Sequence, residues 1–327
     1  MNRSTLLITI LFAVFISCKT TEDTTTVTPT ASTYKGTGSV SQGVGKTTTA
    51  NLFPSGMRVA GLGTVTSTDG KTWTVPAEVN FTNTAFLTAS DLNNSYVSGR
   101  SYAKTAAALA GLSGTSDIVT VDATGDVYTV FIFADNYFEM YGIPVGKDPV
   151  PFTNFNSNIV RFKAKKPFTV AVKCVDWEEN LGIGTEDATK IGDGGFVATI
   201  RDAANKIVAV TNNTWKAQTF YTAPVADLAC LTENGGSRLS TSCTTQSGAL
   251  LSYGVHWTIP SDWFSTAYDD SRWPTASLFT NATVGVDNKP AYTNFTDVFD
   301  NSSNDAGFIW SSNLLLDNLV LIRKKIE

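Results

Sequence analysis

Runs of four to eight residues rich in Val, Ile, Phe and Thr, with side chains alternating in character and Gly, Asn or Asp clusters between them, constrain this chain most. Alternation with a period of two places every second side chain on one face of an extended strand. Segments of this kind are Val127–Ala134, Ile159–Ala164, Phe168–Val175, Phe196–Arg201, Ile207–Thr211 and Asn318–Lys324. In the third of these, Phe168, Val170, Val172 and Cys174 share a face, which makes Cys174 a buried free thiol without chemistry. Val59–Val65 and Trp73–Phe86 read as further strands, and Asp91–Ser101 as a polar connection. Ala103–Ala110 is the one convincing helix, closed by Gly111. Nothing alternates strand with helix as a parallel nucleotide-binding sheet would. The expected class is all-β, a β-sandwich with additional N-terminal strands and one short helix.

The beginning of the chain has a different character. Arg3 precedes an apolar run, Leu6–Ile16, too short to remain as a membrane-spanning helix, which reads as a removable export leader. Phe15-Ile16-Ser17-Cys18 resembles the lipobox of bacterial lipoproteins, with Phe15 where that family usually has Leu. The resemblance implies a signal peptide over residues 1–17, lipidation of Cys18 and acylation of the new amino terminus. Several acyl chains would anchor the protein stably without a transmembrane helix. The alternative is a plain secretory signal with an incidental cysteine. Glu22-Asp23 after the cysteine resembles the short signals that send some Bacteroidota-type lipoproteins to the outer face. The expected location is therefore the bacterial cell envelope, at the outer membrane and its exposed surface. Residues 18–33 are dominated by Thr with almost no large apolar side chain, and they read as a flexible tether.

Beyond the tether lie roughly 290 residues, enough for one large β domain or two smaller ones. Residues 34–126 form an N-terminal β region, read as strands that complete the same sandwich or as a small separate domain. A net charge of −5, with 16% charged residues, offers no basic face for nucleic acid. One histidine, His256, limits histidine-based metal sites and serine-histidine relays to whatever that residue can serve, and its aromatic surroundings favour a packed role. Gly43-Val44-Gly45-Lys46-Thr47 imitates the end of a phosphate-binding loop, but Val40 stands where the pattern requires glycine. In an exported protein, Cys230 and Cys243, which bracket the turn-forming Asn234-Gly235-Gly236-Ser237, are expected to form a disulfide contributing about 2 to 3 kcal/mol by loop closure.

From Val127 onward, several ordered motifs resemble the galactose-binding-domain-like jelly roll, a β-sandwich found in sugar-binding proteins and beside many glycoside hydrolases. They begin with Thr129–Tyr141, a strand, an Ala134-Asp135-Asn136-Tyr137 turn and a returning strand. There Gly142-Ile143-Pro144 replaces the family's usual Asn-Gly hairpin. The apolar run Pro167–Asp176 comes next, then the hairpin from Gly194 to Asn212-Asn213-Thr214-Trp215-Lys216. Tyr268-Asp269-Asp270-Ser271-Arg272-Trp273-Pro274-Thr275-Ala276 resembles the family's Asp-Asp-Ser-x-Trp-Pro-x-Ala stretch, and Phe308-Ile309-Trp310-Ser311 its closing strand. The resemblance implies a galactose-binding-like sandwich over residues 127–327, with 218–262 as an insertion. Read as residues alone, Asp269 and Asp270 suit a turn that accepts backbone N–H groups, and Trp273 a gap between the sheets.

Two sets of side chains carry the candidate chemistry. Asp176, Glu178, Glu179, Glu186 and Asp187, with glycines between them, are a candidate calcium loop, against the alternative of a solvated acidic loop. No cofactor is otherwise required. Glu178 and Glu179, adjacent on the chain, do not suit a hydrolytic acid and base. Trp177, Trp257 and Trp263 are candidate platforms for stacking a sugar ring, and Trp73 is equally unconstrained. The function expected is non-catalytic binding of a glycan or other extracellular polymer at the cell surface. A structural or adhesive envelope protein with protein partners is the alternative, and a hydrolase built around His256 and acidic residues is a third.

Overall fold

A computed structural model describes residues 34–52, 60–79, 89–91, 105–112, 118–141, 156–186, 191–245, 251–300 and 305–327. The leader, Cys18 and the tether lie outside the described residues, as does Asp187. In chain order the first strands are β1 (Ser39–Gln42), β2 (Lys46–Thr49), β3 (Leu62–Thr66), β4 (Thr72–Val75), β5 (Ala89–Asp91) and β6 (Ile118–Thr120). Next come β7 (Asp126–Asp135), β8 (Tyr137–Tyr141), β9 (Asn156–Ala164), β10 (Phe168–Val175), β11 (Gly195–Asp202), β12 (Ile207–Val210) and β13 (Lys216–Val225). The last are β14 (Thr232–Asn234), β15 (Ser237–Leu239), β16 (Tyr253–His256), β17 (Ser277–Phe279), β18 (Phe308–Trp310) and β19 (Asp317–Ile326). Helices are short: α1 (Thr105–Ala110), α2 (Asn281–Val284), α3 (Pro290–Thr293) and α4 (Thr296–Phe299).

The protein is all-β. One sheet runs β1-β16-β13-β19-β10-β8, and the other runs β17-β18-β11-β7-β9-β5 with β12 beside β11 and β6 beside β9. Both contribute to one core, in which Val170, Val172 and Cys174 of β10 meet Val130, Ile132, Val160 and Phe162 of β7 and β9. This arrangement is consistent with a β-sandwich. The alternation in β10 accounts for its place: Phe168, Val170, Val172 and Cys174 enter this core, whereas Ala171 and Val175 belong to a second one. Cys174 is a buried free thiol, and burial pushes its pKa up.

The second core covers the other face of the six-stranded sheet and positions the candidate site. The separate three-stranded sheet β2-β3-β4 supplies Val65 and Val75 to it, and the 176–186 loop supplies Trp177 and Leu181. The N-terminal region is thus distributed: β1 pairs with β16, β5 and β6 pair with β9, and β2 to β4 form a cover. β4 ends at Val75 because Pro76 has no N–H to continue the ladder, which is shorter than the Trp73–Phe86 strand expected; residues 80–86 lie outside the described ones. The expected helix Ala103–Ala110 is observed as α1, with 103–104 outside the described residues and Gly111 N–H bonding the Ala107 carbonyl at 3.3 Å.

One boundary requires correction. Residues 218–225, assigned to an insertion, lie in β13, a central strand paired with β16 and β19. The connection begins after Val225, and its last part, β16, returns to the sheet. Cys230 and Cys243 form a disulfide around the β14–β15 hairpin.

Candidate functional site

A cleft of about 400 Å³ opens beside the outer face of the six-stranded sheet. Trp73, Tyr141, Phe220, Trp257 and Trp263 line it, together with Lys173, Tyr221 and His256. Exposed Thr72, Glu78 and Thr258 lie at its mouth. Apolar walls with a few polar groups at the margin are usual for a small-molecule or sugar site of this size.

Each wall is held from behind. Trp73, partly exposed on β4, donates from Nε1 to Ser67 Oγ at 3.0 Å and stacks on His256 with centroids 5.3 Å apart. His256 stacks in turn on Tyr221 at 4.5 Å, and its Nε2 shares a 2.7 Å hydrogen bond with buried Ser41 Oγ. Burial pulls the His256 pKa down to about 3, so the ring is neutral. Trp257 donates to Glu233 at 3.1 Å and meets the Arg238 guanidinium 4.9 Å from its ring, with Phe220 4.5 Å from the same cation. Glu233 also accepts from Tyr34 and from Thr37 N–H and Oγ1, so the β14–β15 hairpin clamps the start of the described chain against this wall.

Trp263 is placed by Arg323 of β19. The buried guanidinium bonds the Trp263 carbonyl, Asp270 Oδ2 at 2.7 Å and the Ser265 carbonyl at 3.2 Å. Asp270 therefore binds Arg323, and only Asp269 plays the turn role expected of both, accepting from Ser271 N–H at 3.0 Å. Trp273 also differs from expectation: it packs against Phe220 and Tyr268 in the second core, outside the space between the sheets.

Alternation on β8 puts Tyr137, Glu139 and Tyr141 on one face, opposite Lys173 of β10. Lys173 Nζ lies 2.8 Å from Glu139 Oε2 and donates to the Glu78 carbonyl at 2.7 Å. Tyr137 and Tyr141 donate to Glu139. Burial alone would raise the Glu139 pKa, but Lys173 and these hydroxyls outweigh it and the carboxyl sits below its usual value. Burial and the Glu139 charge push the Tyr141 phenol up, so it stays a donor.

The acidic loop has another role. Trp177 is fully buried and edges against Tyr137 at 5.8 Å, so it serves the core and is no surface platform. Glu178 accepts from Gly182 N–H at 2.7 Å and from Tyr221 OH at 3.2 Å, and burial raises its pKa to about 7. Gly182 and Gly184 have φ of +92° and +61°, and a side chain at either would strike the backbone of Gly43 or Ala223. With Leu181 and Ile183 buried, the loop is a packed plug under the N-terminal strands. Asp176 is buried, and burial, then Glu186 and Asp135, raise its pKa well above the usual range. Among the described residues no three His, Cys, Asp or Glu side chains converge to hold a metal ion, so the proposed calcium ligands Asp176, Glu178, Glu179 and Glu186 form no such group. Apolar neighbours in the loop decided this, since Trp177, Leu181 and Ile183 pull it inward.

Of the three tryptophans singled out in the sequence, Trp257 and Trp263 line the cleft although both are buried, and Trp177 does not reach it. Trp73 joins them, and Tyr141, Lys173 and Arg323 are additions. The Tyr-x-Glu-x-Tyr spacing of β8, three polar-tipped side chains on one strand face, was the available signal for Tyr141. No protein-family model, curated protein or solved structure matches the chain.

Proposed function

We propose that this protein is a lipid-anchored bacterial surface protein whose galactose-binding-like, jelly-roll sandwich binds a glycan in the aromatic cleft without transforming it. The observation that carries the reading is the convergence of Trp73, Tyr141, Trp257 and Trp263 on one cleft with hydroxyls and a carboxylate at its mouth. Trp73 and Tyr141, the two partly exposed rings, present apolar surface to the C–H faces of a sugar, with buried Trp257 and Trp263 closing the cleft behind them, while Thr72, Thr258 and Glu78 supply hydrogen-bonding partners for its hydroxyls. The β-sandwich arrangement and the ordered motifs from Thr129 to Trp310 support the family reading, and the Cys18 lipobox supports the anchor. Calcium is not required by this reading.

Turnover is the weaker alternative although His256 reaches the cleft. Its ring is covered on both faces by Trp73 and Tyr221 and its Nε2 is occupied by Ser41, which does not line the cleft. A general base needs a free nitrogen within reach of a substrate proton.

The test is capture of soluble and insoluble polysaccharides by the 34–327 chain, with Trp73→Ala as the comparison. Saturable binding to one sugar class, weakened about five- to thirtyfold by Trp73→Ala, is the expected outcome, since losing one stacking ring removes on the order of 1 to 2 kcal/mol. Binding unaffected by the substitution would locate the site elsewhere. Silence toward all glycans by folded protein would favour adhesion to protein partners.

A further inference from the structure

We propose that the binding face continues across the Trp263-Phe264 turn into a second hollow, so that the ligand is an internal stretch of a glycan chain and not a single terminal sugar. This rests on the glycan reading of the cleft. The second hollow, about 370 Å³, is lined by Asp122, Lys165, Thr169, Phe264, Ser265 and Thr266.

Continuity is the first observation. Trp263 lines the cleft and its neighbour Phe264 lines the hollow, while Phe264 stacks on Tyr141 with centroids 5.6 Å apart. Lys173 and Thr169, one in each lining, occupy the same face of β10 four residues apart, roughly 13 Å along the strand. The two depressions thus flank one aromatic ridge, the second extending past the start of β10 to the β9–β10 turn. Arg323 fixes that ridge by holding the Trp263 and Ser265 carbonyls.

The chemistry of the hollow is the second. Partly exposed Phe264 offers an apolar surface, and Lys165, Asp122, Ser265 and Thr266 offer donors and acceptors around it. Thr169 is buried, and its Oγ1 has no hydrogen-bond partner in the protein. An orphaned hydroxyl is costly and uncommon, and one at a hollow of mixed lining, where Val121, Pro167 and Phe168 stand beside the polar groups, suits a site completed by a hydroxylated ligand or its water. A chain held in the cleft presents its next units to the hollow at high effective concentration, so affinity grows with ligand length.

The experiment is calorimetry on the 34–327 chain with glucose-, xylose-, mannose- and galactose-based oligosaccharides of one to six units. Variants are Thr266→Trp, which obstructs the hollow from an exposed position, and Lys165→Ala, which removes an exposed donor. Expected is an affinity that rises at least about tenfold from the shortest to the longest members of one series. Thr266→Trp should abolish that rise and Lys165→Ala reduce it, with short-ligand binding unchanged. Affinity independent of length, or a rise untouched by both variants, would overturn the second hollow while leaving the cleft intact. No binding at any length would overturn both.

Discussion

Two buried titratable residues both contact Tyr221, Glu178 at its hydroxyl and His256 at its ring, and respond to pH with opposite sign. The Glu178 carboxyl rises from its ordinary 4.5 to about 7 on burial, so the folded state holds its proton more tightly than the unfolded chain. Its contribution to stability is complete below about pH 4.5 and is lost as the pH climbs through 7. His256 falls from 6.5 to about 3, and its contribution is complete above about pH 6.5 and lost toward pH 3. The two slopes offset each other between about pH 4.5 and 6.5. Glu178→Gln is therefore expected to gain about 2 kcal/mol on the wild type between pH 5 and pH 8. Urea midpoints at the two pH values measure this, and an unchanged difference would refute the assignment. Lys173 supports the opposite prediction. Lys173→Met strands the Glu139 carboxylate in the core and is expected to cost about 3 kcal/mol or more, with Glu139→Gln in the same chain restoring much of the loss. The place of Cys174 was legible, from its alternation with Phe168, Val170 and Val172 along one strand. The ion pair was not, because Glu139 and Lys173 are 34 positions apart and meet only through the pairing of β8 with β10.

At the scale of elements, the strands with clean alternation were the legible ones: β7, β9, β10, β11 and β19 contain the segments read from the sequence. β13 escaped because its ladder slips at Thr219, Tyr221 and Thr222, so that Phe220 and Tyr221 are adjacent yet both enter the second core. A bulge changes the face on which each later residue falls, and a period-two reading then takes the segment for a loop. The connection after β13 is secured covalently and by Asp317, whose buried carboxylate accepts from Ser240, Ser311 and Thr222. Replacing both Cys230 and Cys243 by serine is expected to lower unfolding stability by about 2 to 3 kcal/mol, read from chemical denaturation. Loss of less than about 1 kcal/mol would mean that the unfolded chain without the bond already keeps this loop compact, leaving little closure entropy for the disulfide to remove.

The whole molecule is organised around a six-stranded sheet buried on both faces. One face meets the eight-stranded sheet, and the other meets the N-terminal cover and the 176–186 plug, leaving between Trp73, Tyr141 and Trp263 the cleft where Trp73→Ala should act. The all-β class, the main strands, their core-facing residues and the Cys230–Cys243 bond were readable from the sequence, because side-chain alternation and turn residues are local properties of the chain. Which tryptophans line the cleft, and whether Asp176 and Glu178 sit in a solvated loop or in a plug in the core, was decided only by the tertiary structure. Burial depends on what packs over a residue, and for Leu181 and Gly182 of that loop this includes Gly61, Gly63 and Val65, more than a hundred positions away in the chain.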